Sequence, residues 1–268
     1  MESGDNMASS FWSGEFYFDN IRSTDKKVCI VDVNDNSILK QIGNTFSISM
    51  EKDTAFRGNP LYRETEITTE NIVLQLCRTD GKTWTNNNIR EITEWLFQDT
   101  FKKFIPNDIE NQGYTLFYYV KAIEYKKFLN PNMEGYIEIT FQPYDAYIYA
   151  TPTYSLSVSG GSTTSISNIS NVNKIYYPKI RVINLGNKEN VITINNLTTG
   201  NILNIKGIEQ GKDVTIDCAI GSVLDAEGKN RFDVLQNFDF IGLSKGENRI
   251  SLSSNCSIQF TCEFPMII

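Results

Sequence analysis

The chain has 268 residues, of which 40% are apolar and 21% are charged, which is enough apolar material for about two packed domains. Acidic residues outnumber basic ones by 32 to 25, and the resulting net charge of −7 argues against a protein that binds nucleic acid through its phosphates. Histidine is absent, which excludes Ser-His-Asp and Cys-His catalysis, histidine-ligated zinc and an imidazole general base.

The N-terminus is polar over residues 1–10, and we expect this stretch to be flexible. It lacks the basic and then apolar order of a signal peptide. No apolar run approaches the roughly 20 residues of a membrane helix, so we expect no membrane insertion.

Short apolar runs separated by turn residues dominate the sequence. In the segment 137–141, Ile137, Ile139 and Phe141 alternate with polar residues, which is the period of a half-buried strand. The other predicted strands are Val28–Val33, Ile72–Leu76, Leu116–Ile123, Ile180–Ile183, Val191–Ile194, Val214–Ile216, Ile250–Leu252 and Ile258–Cys262. This spacing predicts a mainly β protein built from antiparallel sandwiches or barrels.

One helix is predicted after the strand Ile72–Leu76. Asn88 is a suitable N-cap with Glu91 as its capping-box partner, and Ile89, Ile92 and Leu96 follow on one face. Two interpretations of the next residues remain open. Either the helix stops near Thr100 and the phenylalanines at 97, 101 and 104 enter the core from a loop, or the helix continues and buries a second face against another subunit.

The composition changes near residue 150. Residues 1–150 carry 22 acidic and 15 basic side chains and 24 of the 32 aromatic residues, whereas residues 151–268 carry ten charges of each sign. The segment 151–173 contains no charged residue and includes Gly160-Gly161, so we interpret it as a polar loop or connector. We therefore predict a domain at 11–150 and a second at 174–268.

The usual catalytic and metal-binding motifs are not found. Gly207–Lys212 resembles a phosphate loop but has one residue too few between its glycines, so we interpret it as a turn. Asp32–Asn36 resembles the start of a calcium loop but lacks the glycine and the bidentate Glu that such a loop requires. Glu94 and Glu138 fit the solvent side of amphipathic elements better than a pair of catalytic carboxylates.

The five cysteines include no C-x-x-C pair, which argues against a zinc site. Cys256 and Cys262 would lie about 20 Å apart in one extended strand, too far for a disulfide. We interpret all five as reduced thiols that pack as small apolar side chains. We therefore predict no catalytic residue, no cofactor and no metal ligand.

Several segments, taken in order, resemble the distal tail proteins (Dit) of long-tailed, non-contractile bacteriophages, over nearly the whole chain after about residue 11. The matching segments of the first half are Phe16–Ile21, Trp95-Leu96, Tyr118–Ala122 and Gly135–Tyr144. Those of the second half are Tyr177–Ile180, Thr215–Asp217 and Leu243–Ile250, and the last is the most specific.

The resemblance implies an N-terminal β-sandwich or split-barrel-like domain with one helix, followed by a galectin-like β-sandwich. It also implies a non-enzymatic hub at the virion tail tip, assembled in the bacterial cytoplasm as a hexameric ring. The implied partners are the tail tube protein, the tail-associated baseplate hub protein and receptor-binding proteins. Phage DNA would pass through the ring without specific binding.

Two other functions are compatible with the same sequence. One is a carbohydrate-binding module for adsorption to the host surface, since sandwiches often carry aromatic platforms. The other is a tail-linked glycosidase that uses paired carboxylates. Against the sugar-binding function, the second half contains no Trp and only eight aromatic residues.

Overall fold

The computed structural model describes residues 14–31, 44–51, 61–106, 113–152 and 156–267, with the backbone alone described over 44–51 and 61–68. The chain divides into two compact units, one made of residues 1–110, 116–148 and 267–268, the other of residues 111–115 and 149–266. We describe each unit by itself.

The first unit contains nine of the strands and the helix. They are β1 (Tyr17–Phe18), β2 (Ile21–Arg22), β3 (Val28–Val31), β4 (Asn44–Glu51), β5 (Leu61–Thr69), β6 (Ile72–Arg78), α1 (Asn86–Leu96), β7 (Lys102–Ile105), β8 (Tyr114–Leu129) and β9 (Gly135–Pro143). Seven of these strands form an antiparallel, curled half-barrel sheet in the order β2-β1-β7-β8-β9-β6-β3. The remaining two, β4 and β5, form a separate hairpin.

Aromatic stacking joins the helix to this sheet. The ring of Trp95 stacks on Phe16 at 5.6 Å between centroids and meets Phe18 edge-on at 5.9 Å. Its Nε1 donates a hydrogen bond to the carbonyl oxygen of Phe18. Phe104 and Phe141 extend the cluster and are fully buried. Such pairs contribute about 0.5–1.5 kcal/mol each beyond their buried area.

The helix begins earlier than the sequence predicts. Thr85, not Asn88, is the N-cap, because its backbone is extended and its hydroxyl oxygen accepts a hydrogen bond from the Asn88 backbone N–H at 3.1 Å. The Asn88 side chain accepts hydrogen bonds from the Thr85 hydroxyl and from Arg78 at the end of β6. Asn88 is therefore the third helical residue, where the capping-box partner lies.

The helix ends at Leu96, so a continuous helix through the three phenylalanines was wrong. Phe97 is the C-cap and lies outside helical geometry, with φ −89° and ψ 87°. Phe101 is exposed, and Phe104 is buried in β7. The other interpretation is correct in that the helix stops before these phenylalanines, but it stops at Leu96 and not near Thr100, and Phe104 enters the core from β7 and not from a loop.

The second unit is a sandwich of two antiparallel sheets. Its strands are β10 (Ile148–Pro152), β11 (Leu156–Ser159), β12 (Thr163–Asn168), β13 (Lys179–Asn184), β14 (Ile192–Asn196), β15 (Ile202–Ile205), β16 (Asp213–Asp217), β17 (Ser222–Asp225), β18 (Gly246–Leu252), β19 (Cys256–Thr261) and β20 (Phe264–Met266). One sheet has the order β11-β19-β13-β16-β17 and the other β12-β18-β14-β15, while β10 and β20 pair with each other outside these two sheets. The core between them is mostly aliphatic.

We expected the segment 151–173 to be a polar loop or connector. Instead it contributes strands to both sheets. β11 pairs with β19, and β12 pairs with β18. Val158 and Ile166 are buried in the core between the sheets, while Ser and Thr occupy the intervening outward positions. Apolar side chains alternate here with Ser and Thr, which is the pattern of a half-buried strand. We missed this pattern in the sequence because its outward residues carry no charge.

Buried asparagines satisfy the backbone at the strand ends of the second unit. Asn168, Asn184, Asn196 and Asn248 are at most 2% exposed. Asn184 Nδ2 donates to the carbonyl oxygens of Asn187 and Ile208. Asn196 Nδ2 donates to the carbonyl oxygen of Gly242 and to Asn248 Oδ1. These amides replace ladder partners that the loops cannot provide.

The side chain of Asn248, the third residue of β18, holds the segment Ser244–Asn248 where the chain enters this strand. Its Nδ2 donates to the carbonyl oxygens of Ser244 and Gly246, at 2.7 and 3.0 Å, while its Oδ1 accepts from the Ser244 N–H at 2.9 Å. Gly246 has φ +85°, a left-handed backbone conformation that favours glycine.

We expect Gly246→Val to lower the free energy of unfolding of the second unit by about 1–3 kcal/mol. A Cβ at this position would meet no atom within 4 Å, so the loss would come from the backbone conformation alone. Gly246→Asn is the matched control and should lose less, because Asn tolerates positive φ. Urea denaturation checks this order, and equal stability of the Val variant would contradict it.

We expect Asn248→Ala to cost about 2–4 kcal/mol, because the partly buried groups of Ser244 and Gly246 and the buried side chain of Asn196 would lose their partner. Gln259→Ala is the control, since Gln259 is exposed on β19 and should change stability by less than about 0.5 kcal/mol. The same denaturation measurement applies. A loss at Asn248 no larger than at Gln259 would show that the amide network does not stabilise the loop.

Candidate assembly surfaces

Within the described ranges, no group of three or more Cys, Asp or Glu side chains is arranged to hold a metal ion, and no helix is long and apolar enough to cross a membrane. The segment Gly207–Lys212 is a turn between β15 and β16, as predicted, with the Lys212 N–H donating to the carbonyl oxygen of Glu209. Asp32–Asn36, the segment that resembles a calcium loop, lies outside the described residues.

The two carboxylates considered in the sequence lie in different elements. Glu94 is exposed on α1 and pairs with Arg90, one helical turn earlier. Glu138 is partly buried on β9, where it accepts a hydrogen bond from Gln75 and pairs with Lys126. Each carboxylate therefore already has a structural partner.

The most distinctive surface of the first unit is the C-terminal half of β8. β7 pairs with β8 only through residues 118–120, whereas β9 pairs with β8 as far as Leu129. All six side chains from Ile123 to Phe128 are exposed. Strand edges of this kind can pair with another chain. We call residues 123–128 the β8 edge.

The β8 edge is apolar and aromatic. Ile123, Tyr125 and Phe128 are 47%, 44% and 44% exposed, respectively. Ile123 stands at a register shift between Ala122 and Glu124, where β8 has one residue more than β9. Such bulges twist and reorient an edge strand.

Contacts on both sides of the strand hold these side chains in place. Phe128 stacks on Tyr136 of β9 at 4.8 Å, with an angle of 15° between the rings. Tyr125 meets Phe97 edge-on at 6.0 Å, just beyond the end of α1. The exposed aromatic rings are therefore oriented before any partner binds, which lowers the entropic cost of association.

The charges along the β8 edge are of both signs. Lys126 forms ion pairs with Glu124 and Glu138, at 3.0 and 3.6 Å. Lys127 lies 5.9 Å from the centre of the Tyr125 ring. Paired charges oppose indiscriminate aggregation and favour a partner with complementary charges.

A second group of aromatic residues in the first unit is also exposed. Phe101 meets Tyr144 edge-on at 5.1 Å, and Tyr144 is 65% exposed. Nearby in sequence, Lys103 Nζ lies 4.3 Å from the centre of the Phe117 ring. The aromatic excess of the first half is thus divided between the core and the surface.

In the second unit, side chains from a loop cover one of the sheet edges. β15 lies at the end of its sheet, and the loop at 236–239 covers its polar groups. Asp239 accepts hydrogen bonds from the Ile202 N–H and from Asn201 Nδ2, both at 2.7 Å. Asn237 accepts from the Asn204 N–H and donates to the carbonyl oxygen of Ile202. These side chains occupy the places of a neighbouring strand.

Exposed apolar side chains also lie on the second unit. Phe238 is 67% exposed and lies 6.3 Å from the ring of Phe232, and Ile220 is 77% exposed. Gly221, the residue after Ile220, would meet Phe240 at 3.2 Å if it carried a Cβ. Such residues are suited to contacts with other proteins.

Sequence reasoning missed the β8 edge. The run Leu116–Ile123 predicted a strand, but the following Glu-Tyr-Lys-Lys-Phe-Leu has no simple alternation because both faces are exposed. The available signal was the mixture of aromatic residues and lysines between two predicted strands.

No curated protein matches the chain, but its fold is similar to several solved structures. The crystal structure of the SPP1 phage Dit (gp 19.1) protein, described as a paradigm of the hub adsorption apparatus in phages that infect Gram-positive bacteria, has a TM-score of 0.64 and 14% identity, covering 93% of this chain and 98% of that one. The phage p2 baseplate in its activated conformation, with Ca or with Sr, gives TM-scores of 0.56 and 0.55 at 12% identity, covering 92% of this chain and 97% of those.

The sequence also matches two protein-family profiles. Residues 11–143 match a family described as the phage tail protein N-terminal domain. Residues 147–262 match one described as the phage tail C-terminal domain. Because the two profiles span nearly the whole sequence in this order, the chain belongs to this family of phage tail proteins, and its mainly β fold is similar to that of the SPP1 Dit protein.

Proposed function

We propose that the chain forms a hexameric ring at the tip of a phage tail and joins the tail tube to the adsorption apparatus. The observation that carries this proposal is the match of both halves to phage tail domains, together with the fold similarity to the SPP1 hub protein over 93% of the chain. The role is structural and needs no catalytic residue.

The first unit is the ring-forming part in this proposal. A cyclic ring uses head-to-tail contacts, so each copy must present two different surfaces. The β8 edge is one such surface, because its aromatic side chains are exposed and already oriented. The β4–β5 hairpin is the other, since among the described residues it pairs with no strand of the curled sheet and so retains a strand edge for a neighbouring copy.

In this proposal the second unit binds the adsorption components. Its exposed Phe232 and Phe238 form a surface for receptor-binding proteins, while the tail tube protein and the baseplate hub protein contact the ring itself. The loop over β15 keeps that edge from pairing with a neighbour, which leaves side-chain contacts for the adsorption components.

We expect the purified protein to elute with about six times its chain mass of 30.5 kDa. The double variant Ile123→Lys, Phe128→Lys places a new charge at each end of the β8 edge and should weaken ring formation at least about tenfold. Light scattering across a dilution series, together with electron microscopy, measures both outcomes.

Phe238→Lys is the matched control for this experiment, because Phe238 is more exposed than either residue but lies in the second unit. The Phe238→Lys variant should still form hexameric rings. Rings that survive the double variant and are lost in Phe238→Lys would reverse the roles proposed for the two units.

The ring should also let DNA pass without holding it. The whole excess of seven negative charges lies in residues 1–150, which belong mainly to the ring-forming unit. We expect no retention of the ring on duplex DNA at low ionic strength, where a basic lumen would bind most tightly. Gel-shift titration tests this, and binding with a steep salt dependence would contradict it.

A further inference from the structure

We propose that Cys29 and Cys77 form a thiol–disulfide site that can link β3 covalently to β6. The reaction partner is a low-molecular-weight disulfide such as oxidised glutathione. The other three cysteines take no part in it.

The strand register carries the proposal. β3 and β6 are antiparallel, and Cys29 lies directly opposite Cys77. Side chains directly opposite in an antiparallel pair project from the same face of the sheet. The two residues are therefore neighbours across the sheet although they are 48 positions apart in the chain. The Cys77 thiol donates a hydrogen bond to the carbonyl oxygen of Gly135 on β9 at 3.6 Å, so it must rotate about its Cα–Cβ bond to meet Cys29.

The Cα spacing of the two strands lies within the range of a disulfide, but directly opposite Cβ atoms are about 4.5–5.5 Å apart and a disulfide needs about 3.5–4.5 Å, so β3 must move slightly towards β6 when the bond forms. The Thr79 N–H donates to the carbonyl oxygen of Lys27 at 3.0 Å, and the pairing type repeats every second residue, so Cys29 and Cys77 form a hydrogen-bonded pair. Such pairs have Cα atoms about 5.5 Å apart. Disulfides usually join Cα atoms about 4.4–6.8 Å apart.

Both thiols can be reached from solvent. Cys29 and Cys77 are half-buried, whereas Cys218, Cys256 and Cys262 are buried in the core of the second unit. A small disulfide can therefore reach Cys29 and Cys77 at their exposed parts but not the other three cysteines.

The chemistry is an exchange in two steps. The thiolate of one cysteine attacks the small disulfide, which forms a mixed disulfide and releases one small thiol. The second cysteine, as a thiolate, then attacks the protein sulfur of that mixed disulfide and releases the second small thiol. One protein disulfide and two small thiols result, and excess thiol reverses the reaction.

The reaction should accelerate as the pH rises. Partial burial raises the pKa of both Cys29 and Cys77, so only a small fraction is thiolate at neutral pH. Burial raises the pKa of Cys218 and Cys262 to about 12, which disfavours their reaction further.

The disulfide would fix a short edge strand. β3 has four residues and lies at the end of its sheet, and the loop closed by the bond includes β4 and β5. Closing a long loop constrains the unfolded chain most, so the melting temperature of the first unit should rise by about 5 °C or more.

The test uses the full-length protein at pH 8.5, incubated with oxidised glutathione, or with dithiothreitol as the reduced reference. After alkylation under denaturing conditions, intact mass should show three blocked cysteines in the oxidised sample and five in the reduced one. Peptide mapping should give a single Cys29–Cys77 link, with the melting temperature raised only in the oxidised sample.

Cys29→Ser and Cys77→Ser should each abolish the link and the rise in melting temperature, whereas Cys256→Ala, the control, should retain both. Five blocked cysteines after oxidation would overturn the proposal. So would glutathione held stably on both cysteines, or links between separate chains, because each outcome shows that the two thiols do not meet within one chain.

Discussion

The burial of Trp95 against Phe16 and Phe18 determines how the first unit is built. One helix covers the inner face of the curled sheet, and this aromatic contact fixes where the helix ends. The chain then has only a few residues before Phe104 must join the same cluster. β7 is consequently short and reaches β8 at three positions, which leaves the C-terminal half of β8 open on that side. The candidate assembly edge is thus a consequence of how the core is packed.

The two units differ in whether side chains cover the edge strands of their sheets. In the second unit, the side chains of Asn237 and Asp239 form hydrogen bonds with the outer backbone groups of β15. These groups are therefore not available to a neighbouring strand. In the first unit, the β8 edge retains exposed aromatic rings next to paired charges. An edge blocked by side chains favours contacts through surface residues, whereas an open edge favours pairing through the backbone. This difference supports assigning ring formation to the first unit and attachment of other proteins to the second.

Much of the fold could be predicted from the sequence, because most strands follow simple alternation. Ile137, Ile139 and Phe141 all point into the core, as their alternation with polar residues predicts. The predictions failed where the signal was not local. The helix cap was placed at Asn88 because three consecutive asparagines offer similar caps, and only the extended backbone of Thr85 distinguishes the true one. The β8 edge was missed because its pattern depends on how far β7 extends.

The buried asparagines show why the second unit needs specific polar residues inside an aliphatic core. A β-sandwich with many short strands has many strand ends, and each leaves N–H and C=O groups that cannot reach a ladder partner. An Asn side chain carries both a donor and an acceptor, so one residue can satisfy groups of two loops at once, as Asn184 does for the loops at 186–190 and at 208. Leucine at such a position would fill the volume but leave these groups unpaired, at a cost of about 1–3 kcal/mol for each. The high Asn content of this chain is therefore in part a requirement of its architecture.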